Sequence, residues 1–343
     1  MRAAKSLNEP AWASDDDATL LARPIADLEL RIETSALAPL VEQLHAELKS
    51  AGLRFRPFVY LSYDWFTPDG VVGFAAPFFL AHPRLMRLER RQMLEVEGGA
   101  KDHCMRLLRH ETAHAFDNAY RLRRKKRFRE LFGRAGEPYQ DAYTPDPTSR
   151  DFVVNLDSWY AQSHPLEDFA ETFAVWLRSR SRWRKRYADW PALKKLEGLD
   201  VWLKEIGQSP APVRCRQRPD VARTITMTLG EYYARKKEFY GGELGPDEIA
   251  LRNLFSDDPI YRRRETAASF LQRHRRQLAL RVSRFTGQHR YTVDQALLET
   301  IRACREANLR LIKSDRETHL DAVSLLTART MHFVGGRGPH YRR

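Results

Sequence analysis

Between Lys101 and Phe132 the chain contains neither glycine nor proline, the two residues that most readily interrupt a helix. Leu107, Leu108, Ala115 and Phe116 supply an apolar face, so the stretch reads as a helix packed against other chain. Within it stands His110-Glu111-Thr112-Ala113-His114. Positions i and i+4 share one side of a helix, which sets two imidazoles next to each other with Glu111 one step around. Neutral nitrogen donors in this arrangement suit Zn2+, which lowers the pKa of water so that a neighbouring carboxylate can take its proton. With 11 histidines in 343 residues, chance supplies only about 0.02 such matches.

A metal held this way needs a third protein ligand. The metzincin pattern takes it from a histidine further along the same motif, after a glycine, and those positions here are Asp117 and Tyr120. A second helix offers the alternative. In LDSWYAQSHPLEDFAETFAVWLR, residues 156–178, Pro165 suits a first helical turn, and Phe169, Ala170, Phe173, Ala174 and Leu177 form a buried stripe. Glu167 and Glu171 fall at i and i+4. One can bind the metal while the other orients a ligand histidine through its free ring N–H.

HExxH followed some fifty residues later by E-x-x-A-E resembles the gluzincin metallopeptidases of the lethal-factor type. More closely, the chain is similar to a bacterial family of zinc-binding metallopeptidases, over most of residues 20–205. The gluzincin likeness is confined to about 105–178. The resemblance implies Glu167 as the third ligand and Glu171 as its outer support. It further implies Tyr160, seven residues before Glu167, as the group that stabilises the oxyanion, and Asp117 as a support for the helix or a ligand. The second helix departs from the N-E-x-x-S-D of thermolysin, so thermolysin's substrate pockets do not transfer. The chemistry so implied is hydrolysis of a peptide bond. His110, His114 and Glu167 hold zinc, Glu111 acts as general base, and zinc shares the oxyanion charge with Tyr160. His164 is an alternative electrophile or proton donor, although capping of the helix start also accounts for it.

The fold class expected is α+β. A zincin-like domain with a small N-terminal sheet and the active-site helices is followed by a mainly α-helical domain. Charge marks the division. Residues 1–210 carry 32 basic and 30 acidic side chains, and residues 211–343 carry 26 and 15. The Pro-rich IGQSPAPVRCRQRPD between them reads as a linker. The expected organisation is a flexible N-terminus at 1–19, the metallopeptidase domain at 20–206, a linker at 207–222, a basic helical domain at 223–334 and a frayed tail at 335–343. In the first domain, Leu28, Leu30 and Ile32 alternate as in a strand. Ser35–Ser50 carries a helical stripe that stops before Gly52. Phe58–Tyr63 and Val71–Leu80 read as strands joined through a turn at Pro68-Asp69-Gly70. Val71–Leu80 is also a candidate edge strand for an extended substrate. It lacks the glutamate with which aminopeptidases of this clan hold a free amine, which favours internal cleavage.

The run RLRRKKRFR, Arg121–Arg129, reads as a continuation of the zinc helix whose cations favour its C-terminal dipole, with an anionic contact as the alternative. Five tryptophans, Trp159, Trp176, Trp183, Trp190 and Trp202, read as packing residues. The partners expected are a peptide or protein substrate, and an acidic partner or a nucleic acid through the basic C-terminal half. A non-catalytic zinc protein and a nucleic-acid-associated protein are the rival functions. Three scattered cysteines, no signal-peptide core and no apolar run long enough to span a bilayer point to a soluble cytoplasmic protein.

Overall fold

The computed structural model describes residues 9–139, 143, 145–178, 182–241 and 248–335, and the tail at 336–343 lies outside them. The chain forms two compact units, residues 1–91 with 96–232, and residues 92–95 with 233–342. The architecture is α+β, with a two-stranded sheet in the first unit and helices nearly everywhere else.

The first unit opens with a short helix α1 (Asp17–Leu21), capped by the Asp16 carboxylate on Thr19 N–H. Leu28, Leu30 and Ile32 do not form a strand. Ile25–Leu28 and Ile32–Thr34 are 3-10 turns, and Ile25 and Leu28 reach the core at i, i+3 spacing. Three alternating residues are too few to outweigh that local turn. Helix α2 (Ala38–Ser50) follows its predicted stripe and buries Val41, Leu44 and Leu48, and the chain then turns at Gly52 (φ +80°).

Strands β1 (Phe58–Ser62) and β2 (Gly73–Pro77) pair in parallel. Gly73 permits the approach, because a Cβ there would stand 2.4 Å from the Phe58 carbonyl oxygen. The predicted turn exists, with Gly70 at φ +72° and Val71 N–H donating to Pro68 O. It folds Phe66 back against Ala75 as an antiparallel bridge, so Ala75 is flanked by Phe66 as well as by Tyr60 of β1.

Helices α3 (Pro83–Met93), α4 (Lys101–Tyr120), α5 (Lys126–Phe132), α6 (Pro165–Leu177), α7 (Trp183–Arg186) and α8 (Ala192–Ile206) complete the layer around the site. α4 and α6 lie against each other through Phe116 and Phe173, whose ring centroids are 5.6 Å apart. Arg109 of α4 makes a bidentate pair with Glu47 of α2 at 2.7 and 2.8 Å, with both side chains buried. Trp176, Trp183 and Trp190 pack with Val153, Tyr187 and Leu196, and Trp202 is buried.

The basic run after Tyr120 does not continue α4. Arg121 turns left-handed (φ +56°), and the buried Asp117 carboxylate accepts from both the backbone N–H and Nε of Arg123, closing the helix end. That local acceptor outweighs the helix-forming tendency of the arginines. After α8 the chain runs as an extended strap. Val213 N–H donates to Ala119 O at the end of α4, and Cys215 O accepts from Val72 N–H.

α9 (Leu229–Tyr240) leads into the second unit. There α10 (Glu248–Leu254) and a minimal antiparallel pair of β3 (Phe255–Ser256) and β4 (Arg310–Leu311) accompany three long helices. These are α11 (Ala267–Thr286), α12 (Arg290–Glu306) and α13 (Asp315–Gly335). Phe255, Phe270, Leu278, Val282, Leu297, Ile301 and Leu326 form their common core. No helix among the described residues is long and apolar enough to cross a membrane.

Candidate active site

One turn of α4 carries both histidines. Their rings sit 4.9 Å apart between centroids, and the two Nε2 atoms are 3.2 Å apart. α6 brings Glu167 to the same point, with Oε2 3.1 Å from His110 Nε2 and 3.3 Å from His114 Nε2. Three ligand atoms therefore form a nearly equilateral triangle. A tetrahedral ion with bonds of about 2.0–2.1 Å places its donors roughly 3.3–3.4 Å apart, so the triangle fits one divalent cation. Among the described residues this is the one such group of three His, Cys, Asp or Glu side chains.

The electrostatics agree with that fit. Burial disfavours a charged His110 ring, yet hydrogen bonds and charge from Glu167 and Glu171 outweigh it and hold its pKa well above the usual value. Burial likewise disfavours a charged Glu167, but His114 and His110 hold its pKa well below the carboxylate range. The pocket thus stabilises positive charge where the three donor atoms converge.

His110 and Glu167 are held from behind. His110 Nδ1 bonds Glu171 Oε1 at 2.9 Å, which leaves Nε2 as the lone-pair donor. Glu171 is fully buried and also accepts from Asn155 Nδ2 (2.9 Å) and Leu156 N–H (2.7 Å). Glu167 presents Oε2 to the rings while Oε1 accepts from the Tyr139 hydroxyl at 2.7 Å.

Glu111 is buried beside the ligands, and its Oε2 accepts from Thr67 Oγ1 at 2.8 Å. Burial raises its pKa against the pull of the two histidines. The Tyr160 ring lies 5.7 Å from that of His110. It follows two non-glycine residues in left-handed backbone, Ser158 (φ +59°) and Trp159 (φ +51°), and Tyr143 O–H grips the Ser158 carbonyl at 2.9 Å. Such backbone costs of order 1–3 kcal/mol per residue and persists where surroundings impose it. Burial, then the charge of Glu167, raises the Tyr160 pKa well above its usual value, so the phenol stays a donor.

His164 caps α6. Its Nδ1 accepts from Leu166 N–H, its Nε2 bonds Glu137 O at 2.9 Å, and Tyr139 stacks on its ring at 3.9 Å. Both ring nitrogens are engaged by backbone. Asp117 spends its oxygens on Arg123. β2 meets β1 on one side, and Ala75 N–H already donates to Phe66 O at 2.8 Å. Tyr139, Thr67 and Asn155 carry no sequence signal of their own, because each lies in irregular chain far from its partner.

A helix-borne pair of histidines, a carboxylate ligand from a second helix and a buried glutamate beside them define a metallopeptidase-type site suited to metal-activated hydrolysis of peptide bonds. Residues 89–186, which carry both ligand helices, match the model of the family described as "Putative zinc-binding metallo-peptidase". The matched region is narrower than the 20–205 span of the resemblance. Neither a curated protein nor a solved structure matches the chain.

Proposed function

We propose that the chain is a zinc-dependent peptidase that cleaves within polypeptides, and that the triangle of His110, His114 and Glu167 is its zinc site. The observation that carries this reading is the convergence of three donor atoms at 3.1–3.3 Å beside a buried, unligated Glu111. Two imidazoles and one carboxylate suit zinc, and the three thiols lie elsewhere in the chain. When bound, the ion supplies Lewis acidity that polarises a carbonyl and acidifies water.

The protein's own groups do the rest. Glu111, desolvated and fixed by Thr67, takes a proton and returns it to the leaving amine, and its raised pKa suits both tasks. Tyr160 donates its hydroxyl proton toward the developing oxyanion. Glu171, steadied by Asn155 and Leu156, keeps the His110 proton on Nδ1. We assign the oxyanion role to Tyr160 and not to His164, whose nitrogens serve the backbone.

The test compares new peptide termini in a cell proteome exposed to the parent and to Glu111→Gln. Termini made by the parent and missing with the variant, at equal metal content, support the proposal. Equal turnover by Glu111→Gln on any cleaved substrate removes it.

A further inference from the structure

Two basic runs far apart in sequence meet at one end of α4. The first is the turn that follows Tyr120, where Arg121, Arg124 and Lys125 are exposed. The second is the strap, where Arg214, Arg216 and Arg218 are exposed. Val213 N–H to Ala119 O (3.2 Å) and Tyr120 O–H to Ser209 O (2.8 Å) hold the strap against that helix end. Neighbouring cations are neutralised within the chain: Arg123 by Asp117 and Asp69, Lys126 by Glu130 and Arg127 by Glu205. The six exposed cations enter no ion pair among the described residues, and Asp220 is the exposed carboxylate next along the strap.

The strap is also preorganised. It is extended, with alternate residues exposed from Ala211 to Arg216. Arg216 and Arg218 both lie over the Phe58 ring, with guanidinium carbons 4.9 and 5.3 Å from its centroid. Alternate residues of an extended chain stand roughly 6.6 Å apart, the repeat of alternate side chains in an extended peptide. Forked, weakly hydrated guanidinium groups at that spacing match a row of carboxylates. Ala119 is about 7.5 Å along the helix axis from His114, in the same compact unit as the metal ligands.

We propose that this surface docks an acidic stretch of the polypeptide substrate and holds the neighbouring segment for the metal site. The choice of a peptide over another polyanion rests on the peptidase reading. The docking itself does not.

The test uses the full-length, metal-loaded Glu111→Gln protein and fluorescence anisotropy with a labelled poly-glutamate peptide. Binding that weakens with salt is expected, and it should weaken about tenfold or more in Arg214→Gln/Arg216→Gln/Arg218→Gln and again in Arg121→Gln/Arg124→Gln/Lys125→Gln. The two triple variants lie on separate segments, so misfolding of one leaves the other as the test. Unchanged affinity in both, or no binding at low salt, overturns the proposal. A poly-dT strand that binds more tightly and displaces the peptide also overturns it, assigning the surface to nucleic acid. Because binding is read without turnover, poly-glutamate binding by a protein that cleaves nothing would sink the peptidase reading alone. Cleavage without such binding would sink the docking surface alone.

Discussion

Replacing Glu171 by glutamine changes one atom's chemistry and leaves volume almost untouched. The wild-type carboxylate accepts three hydrogen bonds: His110 Nδ1 and Asn155 Nδ2 on Oε1, both at 2.9 Å, and Leu156 N–H on Oε2 at 2.7 Å. A carboxamide has one acceptor oxygen and one NH2. With oxygen toward His110, the NH2 meets the Leu156 N–H, and two donors face each other. With NH2 toward His110, that ring must carry its proton on Nε2 and loses the lone pair that would bind metal. Either orientation leaves a buried donor unsatisfied, at a cost of about 1–3 kcal/mol. It also weakens the support behind a ligand, worth about 10–100-fold in metal affinity. Competition with a chelator of known zinc affinity, with a thermal melt alongside, measures both. Zinc affinity within about twofold of the parent, in a folded protein, would refute the assignment of Glu171 as the group that orients His110.

Three other changes have defined outcomes. Tyr160→Phe should lower kcat by about 100-fold or more with little change in KM, and an unaltered kcat would move the oxyanion donor elsewhere. Arg109→Ala strands the Glu47 carboxylate in the core and should cost about 3–5 kcal/mol in denaturant unfolding; a loss below about 1 kcal/mol would mean the pair is not shielded from water. His289 of the second unit is held neutral. Burial, then Lys236 and Arg290, lowers its pKa from 6.5 to about 3, its Nδ1 accepts from Tyr291 N–H, and Glu95 lies 3.0 Å from Nε2. Below pH 6.5 the unfolded chain takes up a proton that the folded ring refuses, so stability should fall as pH drops from 6.5 toward 3. Urea titrations across that range should show a flatter pH slope in His289→Asn, and identical slopes would contradict it.

The two histidines are legible because helix spacing alone pairs them, whereas spacing offers Glu167 and Glu171 together and only the resemblance singles out Glu167. His110 and His114 share a face by spacing, and Glu167 sits on a second amphipathic helix whose apolar stripe dictates which side meets α4. Only the resemblance points to Tyr160, since the left-handed Ser158 and Trp159 that aim it have no periodic signature. Tyr139, Thr67 and Asn155 were illegible, because each comes from irregular chain 28, 44 and 16 residues from the carboxylate it serves. The end of α4 departs from the sequence pattern for a related reason. Helix propensity favoured running on through Arg121–Arg129, and a single acceptor, Asp117, folds Arg123 back. The strand pair is partly legible: alternation marks both strands and Pro68-Asp69-Gly70 marks the turn, but turn chemistry cannot tell that β1 pairs with β2 in parallel while Phe66 forms the antiparallel bridge to Ala75.

The most direct measurement is zinc X-ray absorption on the purified, zinc-reconstituted protein, with His110→Ala and Glu167→Ala beside it. One ion per chain with only nitrogen and oxygen neighbours at about 2.0–2.1 Å, including two imidazoles, and loss of that signal in both variants is the expected result. Sulfur at about 2.3 Å, or an unchanged spectrum in Glu167→Ala, would contradict a centre built from α4 and α6.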